Sequence, residues 1–518
     1  MIILYHNNYK VTRVYDTVNK KHLDSPKGNV TALLFQIGKE HPDCILGWCN
    51  VSAEPFLDIS ALEAAFHHQK MLVSYSPGSN YLPPAIGYVE LGSFIKVNKR
   101  LTFPTWQMSS AAGAIPAAVL ALFEAHVTKE ENFDYFLNSL AVRAMPLGLF
   151  CFSEPKILSG NLNIQVPQAS SIDLFRFVKQ HYKSVWVCFL LLNLVIYEKR
   201  FPLMAAIFAL FHKKRTLQKT LLSHVGIVSK KPNQKEKTID ILIPTIGRKP
   251  YLHDVLKDLA SQTVLPKRVI VTEQNPLPGS TSELDYLCDQ WPFEIKHIFT
   301  NQPGVCNARN LALLEVKSDW VFLADDDIRI ESTFIEDAFN KMYEVNGEVF
   351  NFCCINPGQE RQYDLVHQTS IFAGSCSIIS RKSLGNTIFD PAFEFGYGED
   401  NDFGMQLMNK GYDIGYLPEP AVRHLKAPSG GFRMKMKQLW DDDPIKPKPA
   451  PTVMLYKQLH HSKEQLNGYK TTLFIKYYTH QPEKNPFKYF KLFARQWKRS
   501  AFWANELRSS GKLILKKS

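Results

Sequence analysis

The stretch Trp320-Val-Phe-Leu-Ala-Asp-Asp-Asp327 decides the fold: five apolar residues end abruptly in three adjacent carboxylates, and Ser332-Thr-Phe-Ile-Glu-Asp-Ala-Phe follows. The apolar run has the character of a buried parallel strand, and the later segment predicts a helix with Ser332 as its cap. The acids therefore fall at the carboxyl end of a strand. In open α/β sheets ligands bind in the crevice outside those ends, and adjacent carboxylates repel one another unless a cation neutralises them. Hard oxygen ligands suit Mg2+ or Mn2+, which keep open positions for substrate phosphates. Taken alone, the run also fits a solvated acidic turn that caps a helix.

Working outward, the segment before Trp320 alternates regularly. Ile239-Asp-Ile-Leu-Ile243, Arg268-Val-Ile-Val-Thr272 and Glu294 to Phe299 have strand character, while Tyr251 to Ser261 and Val305 to Val316 have helical spacing. Such a βαβαβ series predicts a Rossmann-like, mostly parallel sheet with helices on both faces. Further back, Lys230 to Lys237 is a polar linker. It follows two apolar runs, Val185 to Tyr197 and Phe201 to Phe211, with Glu198-Lys-Arg200 between them and His212-Lys-Lys-Arg215 after them. Each run is shorter than the roughly 20 residues that cross a bilayer. Two readings are open: a buried helical hairpin joining two domains, or an anchor lying in the membrane plane with its basic residues facing anionic headgroups.

The first 160 residues have mixed α/β character. Val30-Thr-Ala-Leu-Leu-Phe and Cys44-Ile-Leu-Gly-Trp-Cys suggest short strands, Asp58 to Phe66 and Phe133 to Ala144 suggest helices, and no acid cluster follows a strand. After Pro428 the chain turns basic and aromatic, and Phe487 to Arg499 suits an amphipathic helix. The expected organisation is an α/β domain at 1–160, a helical apolar linker at 161–237, the acid-bearing α/β domain at 238–430 and a basic, aromatic helical region at 431–518.

Composition narrows the class. The 518 residues are 45% hydrophobic and 21% charged, ordinary for a globular chain, with a net charge of +12. That charge suits nucleic acid, an anionic membrane surface or phosphorylated substrates. The nine cysteines form no paired C-x-x-C framework. This argues against a zinc ribbon or disulfide scaffold and for a reducing cytoplasm. The start, Met1-Ile-Ile-Leu-Tyr-His, lacks the basic lead and apolar length of a signal peptide.

Four blocks in order carry a family resemblance. The opening strand runs into Pro244-Thr245. The second strand ends Val271-Thr-Glu273-Gln-Asn. Gly304-Val-Cys-Asn-Ala-Arg309-Asn310 precedes the strand ending Asp325-Asp-Asp327. Gly396-Tyr-Gly-Glu399-Asp400-Asn-Asp402 leads through Gly411-Tyr to Pro418-Glu-Pro and His424. Residues 238 to about 426 resemble an inverting GT-A glycosyltransferase of family 2.

That resemblance implies transfer of a sugar from a nucleotide-diphosphate sugar, UDP-sugar favoured, to a hydroxyl of a glycan or lipid-linked acceptor in cell-surface polysaccharide synthesis. It places Pro244, Thr245 and Glu273 at the donor base, where a carboxylate accepts an imide N–H. Glu273 stands where the family more usually has Asp. Arg309 would contact the nucleotide. Asp325 and Asp327 form the DxD-like motif, Asp325 nearer the ribose and Asp327 on the metal, with Asp326 on the donor nucleotide or contributing to either role. His424 would join Asp325 and Asp327 on Mn2+ or Mg2+. Asp400 is implied as the base that takes the acceptor proton, with Glu399 orienting acceptor or backbone. Gly374 and Ser375, in Phe372-Ala-Gly-Ser-Cys-Ser-Ile-Ile379, lie on the acceptor side.

The first domain carries one echo of this pattern, Glu131-Asn-Phe-Asp134-Tyr beside Glu399-Asp-Asn-Asp402-Phe, which suggests a degenerate GT-A copy with Asn132 at the base position. Two other classes compete with the glycosyltransferase reading. A sugar-nucleotide pyrophosphorylase needs a Gly-rich phosphate loop, whereas Ile243-Pro-Thr-Ile-Gly-Arg248 has one glycine. A catalytically inactive scaffold, or a nucleic-acid binder, predicts an incomplete acid set, and here the set is complete. No nucleic-acid partner is expected. The expected location is cytoplasmic and peripheral on the inner face of the cell membrane, held there by the apolar runs and the basic tail.

Overall fold

The computed structural model describes the chain apart from residues 25–27, 128–131, 161–163, 165, 231–237, 429–436 and 516–518, and apart from the side chains of 511–515. Most of the polar linker and Glu131 of the echoed block thus lie outside the described residues. The chain is α/β with two sheets, grouped into two compact units: Met1–Lys231 with His461–Ile475, and Pro232–His460 with Lys476–Ser518. Helices Ser171–His181, Val185–Asn193 and Leu203–Leu210 group with the first unit. The reason is packing: Phe175, Phe177, Leu190 and Ala209 share a core with Leu34, Trp48 and Leu140.

In the second unit the strand order is Glu294–Thr300, Arg268–Gln274, Ile239–Thr245, Trp320–Ala324, Cys376–Ser380, Val349–Ile355, Gly415–His424 and Ile328–Arg329. The first four run parallel. Cys376–Ser380 is antiparallel to both of its neighbours, and Val349–Ile355 and Gly415–His424 are again parallel to each other. The sheet is therefore parallel on the side built by the βαβ series and mixed beyond the acid-bearing strand. That strand is wholly buried, as its unbroken apolar sequence requires.

Two local expectations are corrected. Val30–Glu40 is a helix, not a strand. Its buried Val30, Leu33, Leu34 and Ile37 recur at helical spacing, and the Asn29 side chain accepts from Thr31 N–H to cap it. The helix after the acids is Phe334–Val345 with Thr333 at the cap position and no capping bond from its own side chain. Gln262 supplies one from outside, its Oε1 accepting from Ile335 N–H at 3.0 Å.

The first unit repeats the central frame of the second. Ile2–Asn7, Ile45–Asn50, Ala112–Pro116, Met71–Tyr75 and Phe150–Ser153 lie side by side in that order, with neighbours parallel, antiparallel, antiparallel and parallel. Strands Ile239–Thr245, Trp320–Ala324, Cys376–Ser380, Val349–Ile355 and Gly415–His424 follow the same order and directions. Outside the frame the units part. Next to Ile2–Asn7 the first unit has an antiparallel hairpin strand, Lys10–Asp16, where the second has the parallel Arg268–Gln274. Cys49 pairs with Ala112 as Ala324 pairs with Cys376, so Asn50-Val-Ser52 occupies the place of Asp325-Asp-Asp327.

The register also moves the base position. Asp134 Oδ1 accepts from Ser110 N–H at 2.7 Å, two residues before Ala112. In the second unit Asp400 Oδ2 accepts from Gly374 N–H at 3.0 Å, two residues before Cys376. Asp134, not Asn132, is the counterpart of Asp400, and Asn132 caps its helix as the residue preceding it. The sequence echo is offset because it aligned letters, whereas the helix start sets the packing. Asp134 is sealed from solvent, also accepting from Ser110 Oγ and Tyr9 Oη, and burial pushes it up to about 6.

The acid-bearing strand is anchored at its start by Asp240, buried on the neighbouring strand. Its Oδ2 accepts from the N–H groups of Lys317 and Ser318 at 2.8 and 3.0 Å, and its Oδ1 from Ser318 Oγ at 2.7 Å. Asp240→Ala leaves those donors unmatched and is expected to cost about 2–4 kcal/mol, read as a lower urea midpoint for the second unit. Asp240→Asn, which keeps one acceptor oxygen, is expected to fall between the two.

Candidate active site

The strand ends bring the acids to one edge. Trp320–Ala324 delivers Asp325, Asp326 and Asp327, and the far end of Gly415–His424 delivers His424, because Ile328–Arg329 pairs antiparallel with that strand and sets Ile328 opposite His424. His424 Nε2 lies 3.1 Å from Asp327 Oδ1 and 3.9 Å from Asp325 Oδ2. One ligand atom from each of the three lies within 4.8 Å of the others. Ligand oxygens around an ion bound at about 2.1 Å lie at most about 4.2 Å apart, so a small contraction closes the set on Mg2+ or Mn2+. Two carboxylates and an imidazole also suit such an ion chemically.

The surroundings orient this cluster. His424 Nδ1 is 3.2 Å from Asn356 Oδ1; donation of Nδ1–H there leaves Nε2 facing the acids. The bond to Asp327 raises the His424 pKa despite half-burial. Burial pushes Asp327 upward, but His424, the Ala427 N–H at 2.8 Å and Arg248 outweigh it and hold the carboxyl below its ordinary value. Asp326 turns away from the cluster. It accepts from Thr245 Oγ1 and Arg248 Nη1, both at 2.7 Å, and burial pushes it up to about 6.

A second group is joined to the first by Arg309. This side chain is buried, stacks over Phe389 at 5.0 Å, and points one guanidinium nitrogen at Asp400 Oδ1, 2.9 Å, and another at Asp325 Oδ1, 3.4 Å. Burial opposes its charge, but Asp400 and Asp325 more than offset that and raise its pKa. Gly374 meets Asp400 from the other side, and a Cβ there would stand 2.3 Å from Asp400 Oδ1 and 2.5 Å from Arg309 Nη1. Half-buried Ser375 follows it. Glu399, at the start of helix Glu399–Met408, is buried beside Asp400 and pushed up to about 7 by that burial and the neighbouring charge. Asp402 is occupied, accepting from Gln406 at 2.8 Å and lying 2.6 Å from His460 Nε2.

The remaining candidates sit next door. Glu273 is the cross-strand partner of Thr245, and Pro244 that of Thr272. The Glu273 carboxylate is already engaged, accepting from Ser282 Oγ at 2.5 Å and Glu283 N–H at 3.0 Å, with His297 Nε2 at 2.9 Å. It thus ties down the loop after its strand. Three residues with structural weight had no assigned role in the sequence. Arg248 faces both Asp326 and Asp327, Asn356 orients His424, and Glu394 accepts from Cys306 and Asn307 N–H at the start of the helix carrying Arg309. Arg248 had a visible signal, a lone arginine five residues past the first strand's core; Glu394 and Asn356 had none, since only folding brings them near.

Mn2+ added to the full chain is expected to bind at one site, followed by calorimetry or proton relaxation. Asp327→Ala and His424→Ala should weaken it strongly, and Asp326→Asn should leave it in place because that carboxylate faces Thr245 and Arg248. Equal loss in all three variants would remove the distinction drawn between the acids.

Comparison with known proteins agrees with this geometry at the level of family. Residues 240–398 match Glycosyl transferase family 2. No curated protein sequence matches the chain. Among solved structures, S. aureus TarS aligns over 37% of this chain and 37% of its own, at 18% identity and a TM-score of 0.31. TarS 1–349 in complex with UDP aligns over 37% and 61%, at 19% identity and 0.31. TarS 1–349 in complex with UDP-GlcNAc aligns over 50% and 71%, at 16% identity and 0.33. The chain thus spans little more than a third of the full TarS chain. Residues 240–398, which hold the acid cluster, Arg309 and Gly374, are a glycosyl transferase family 2 domain.

Proposed function

We propose that the second unit transfers a sugar, with inversion, from a nucleoside-diphosphate sugar, UDP-sugar favoured, to a hydroxyl of a glycan or lipid-linked acceptor in cell-surface polysaccharide synthesis. The observation that carries this is the single guanidinium of Arg309 joining Asp325 to Asp400. It ties the acids of the candidate cation site to a separate carboxylate, which supports a reading in which the leaving group and the acceptor are served by different acids.

Asp325, Asp327 and His424 would hold Mn2+ or Mg2+, which when bound neutralises the diphosphate and the charge that develops on it as a leaving group. Thr245, Pro244 and Glu273 line the strand ends where the donor base would lie. Arg248 and Arg309 place positive charge on either side of the acids. Asp400, fixed by Arg309 and the Gly374 N–H, accepts the proton of the acceptor hydroxyl as it attacks the anomeric carbon. The bond to the diphosphate breaks on the opposite face, which inverts the configuration. Glu399 precedes it and is buried, and Asp402 is held by His460 and Gln406. Of the three acids, we therefore assign the role of base to Asp400.

The acid clusters are expected to fail differently. Asp327→Ala should lower both donor affinity and rate, with partial rescue by high Mn2+. Asp400→Asn keeps the shape and should leave UDP-sugar binding intact while transfer falls by roughly 10²- to 10⁴-fold, the scale of a lost general base. Near-parental transfer by Asp400→Asn would show the base misassigned.

We read the first unit as non-catalytic. It has Asn50-Val-Ser52 in place of the acids, a sealed Asp134, and a hairpin where the donor-base half would be. Calorimetry of the full chain with UDP and Mn2+ is therefore expected to give one site per chain, lost in Asp327→Ala. A second saturable site surviving that substitution would contradict the reading.

A further inference from the structure

Helix Leu203–Leu210 is turned the wrong way round for a helix facing water. It buries its three alanines, Ala205, Ala206 and Ala209, and presents Leu203, Met204, Ile207, Phe208 and Leu210 outward. Burying apolar area drives folding, so a helix in water hides its largest apolar side chains and leaves small ones outside. Here the small face packs on helix Ser171–His181, and the large face is left uncovered.

The pattern continues through the rest of the hairpin. Phe201 in the connection is 66% exposed and Phe211 at the far end 80%. On Val185–Asn193 and the turn after it, Val187, Leu190 and Leu194 enter the core while Val185, Leu192 and Ile196 stay outside. A run of exposed large apolar side chains of this kind marks an interaction site.

Its border identifies the occupant. Between residues 183 and 219 there are seven basic residues and one acid. Lys183, Lys199, Arg200, Lys213 and Lys214 are exposed at the ends of the two helices. A second copy seated on the same patch would bring these like charges together. Nucleic acid matches the charge but gains nothing from an aliphatic face. An anionic bilayer matches both, taking the apolar side chains below its headgroups and the lysines among them. No helix among the described residues is long and apolar enough to cross a membrane, and Leu203–Leu210 extends only about 12 Å.

We propose that this hairpin is a monotopic membrane-insertion element, seating the first unit on an anionic lipid surface with the axis of Leu203–Leu210 in the membrane plane. The inference rests on the hairpin alone and is independent of the transfer chemistry proposed above. It assigns the first unit, which lacks the acids, a positive role.

The test is co-sedimentation of the full chain with vesicles of phosphatidylcholine, with and without phosphatidylglycerol, at low and high salt and without donor. The wild type is expected to pellet with the mixed vesicles, less so at high salt. Met204→Asp with Phe208→Asp should lower partitioning at least about tenfold. Lys213→Glu with Lys214→Glu should remove the preference for anionic lipid while the apolar face remains. Circular dichroism and melting temperature establish that both variants are folded. The proposal is overturned if the wild type stays in solution at low salt, or if the folded Met204→Asp, Phe208→Asp variant pellets like the wild type. A wild-type dimer that this variant dissociates, with no vesicle binding by either, would assign the face to a second copy instead.

Discussion

The second unit depends on one buried cation. Arg309 lies in the interior, and a charge there is tolerable only when paired and hydrogen-bonded. Its partners, Asp325 and Asp400, come from a strand end and a helix start that are 75 residues apart in sequence. Truncating either side chain to a methyl would leave one guanidinium nitrogen without its acceptor, whereas Asn keeps one, so packing and site geometry are coupled through the same side chain. The ring of Phe389 beneath it and the missing Cβ at Gly374 supply the space this arrangement needs. The helix that carries Arg309 is itself held by Glu394, whose carboxylate accepts from its first N–H groups and complements the positive end of its dipole.

The acids are kept in different surroundings by their neighbours. Three consecutive aspartates would repel one another in a common environment, yet each has a different one. Asp325 faces Arg309, Asp326 is turned to Thr245 and Arg248, and Asp327 is shared between His424 and a backbone N–H. The three acids lie in the turn between Trp320–Ala324 and Ile328–Arg329, where the change of chain direction sends their side chains to different neighbours. Arg248 completes the separation, since one guanidinium serves Asp326 and lies 3.4 Å from Asp327.

The two units show what a shared frame does and does not carry. Five strands in the same order and direction form in both, because each frame buries its central strands between apolar layers. The candidate site residues lie at strand ends and in the flanking crossover, and there the first unit has a hairpin, an Asn-Val-Ser turn and a carboxylate closed off by Tyr9 and Ser110. Its distinctive surface is elsewhere, on a hairpin that turns its alanines to the protein and its large side chains outward.

The sequence by itself determined the alternating αβ order of the second unit, the strand that ends in acids and the family to which residues 240–398 belong, since all three are written in local periodicity and short blocks. Through the family resemblance it also pointed to Asp325, Asp327 and His424, whose ligand atoms the fold brings within 4.8 Å of one another, and to Asp400, which Arg309 joins to Asp325. It did not determine Val30–Glu40, where a short apolar run fits either period and only the packing of Leu33, Leu34 and Ile37 decides. Tertiary structure alone decided that Asp326 faces away from Asp325 and Asp327, that Asp134 and not Asn132 matches Asp400, and which face of Leu203–Leu210 is outside. Each of these is a choice of direction for a side chain, fixed by neighbours distant in the chain, and residue order alone does not contain it.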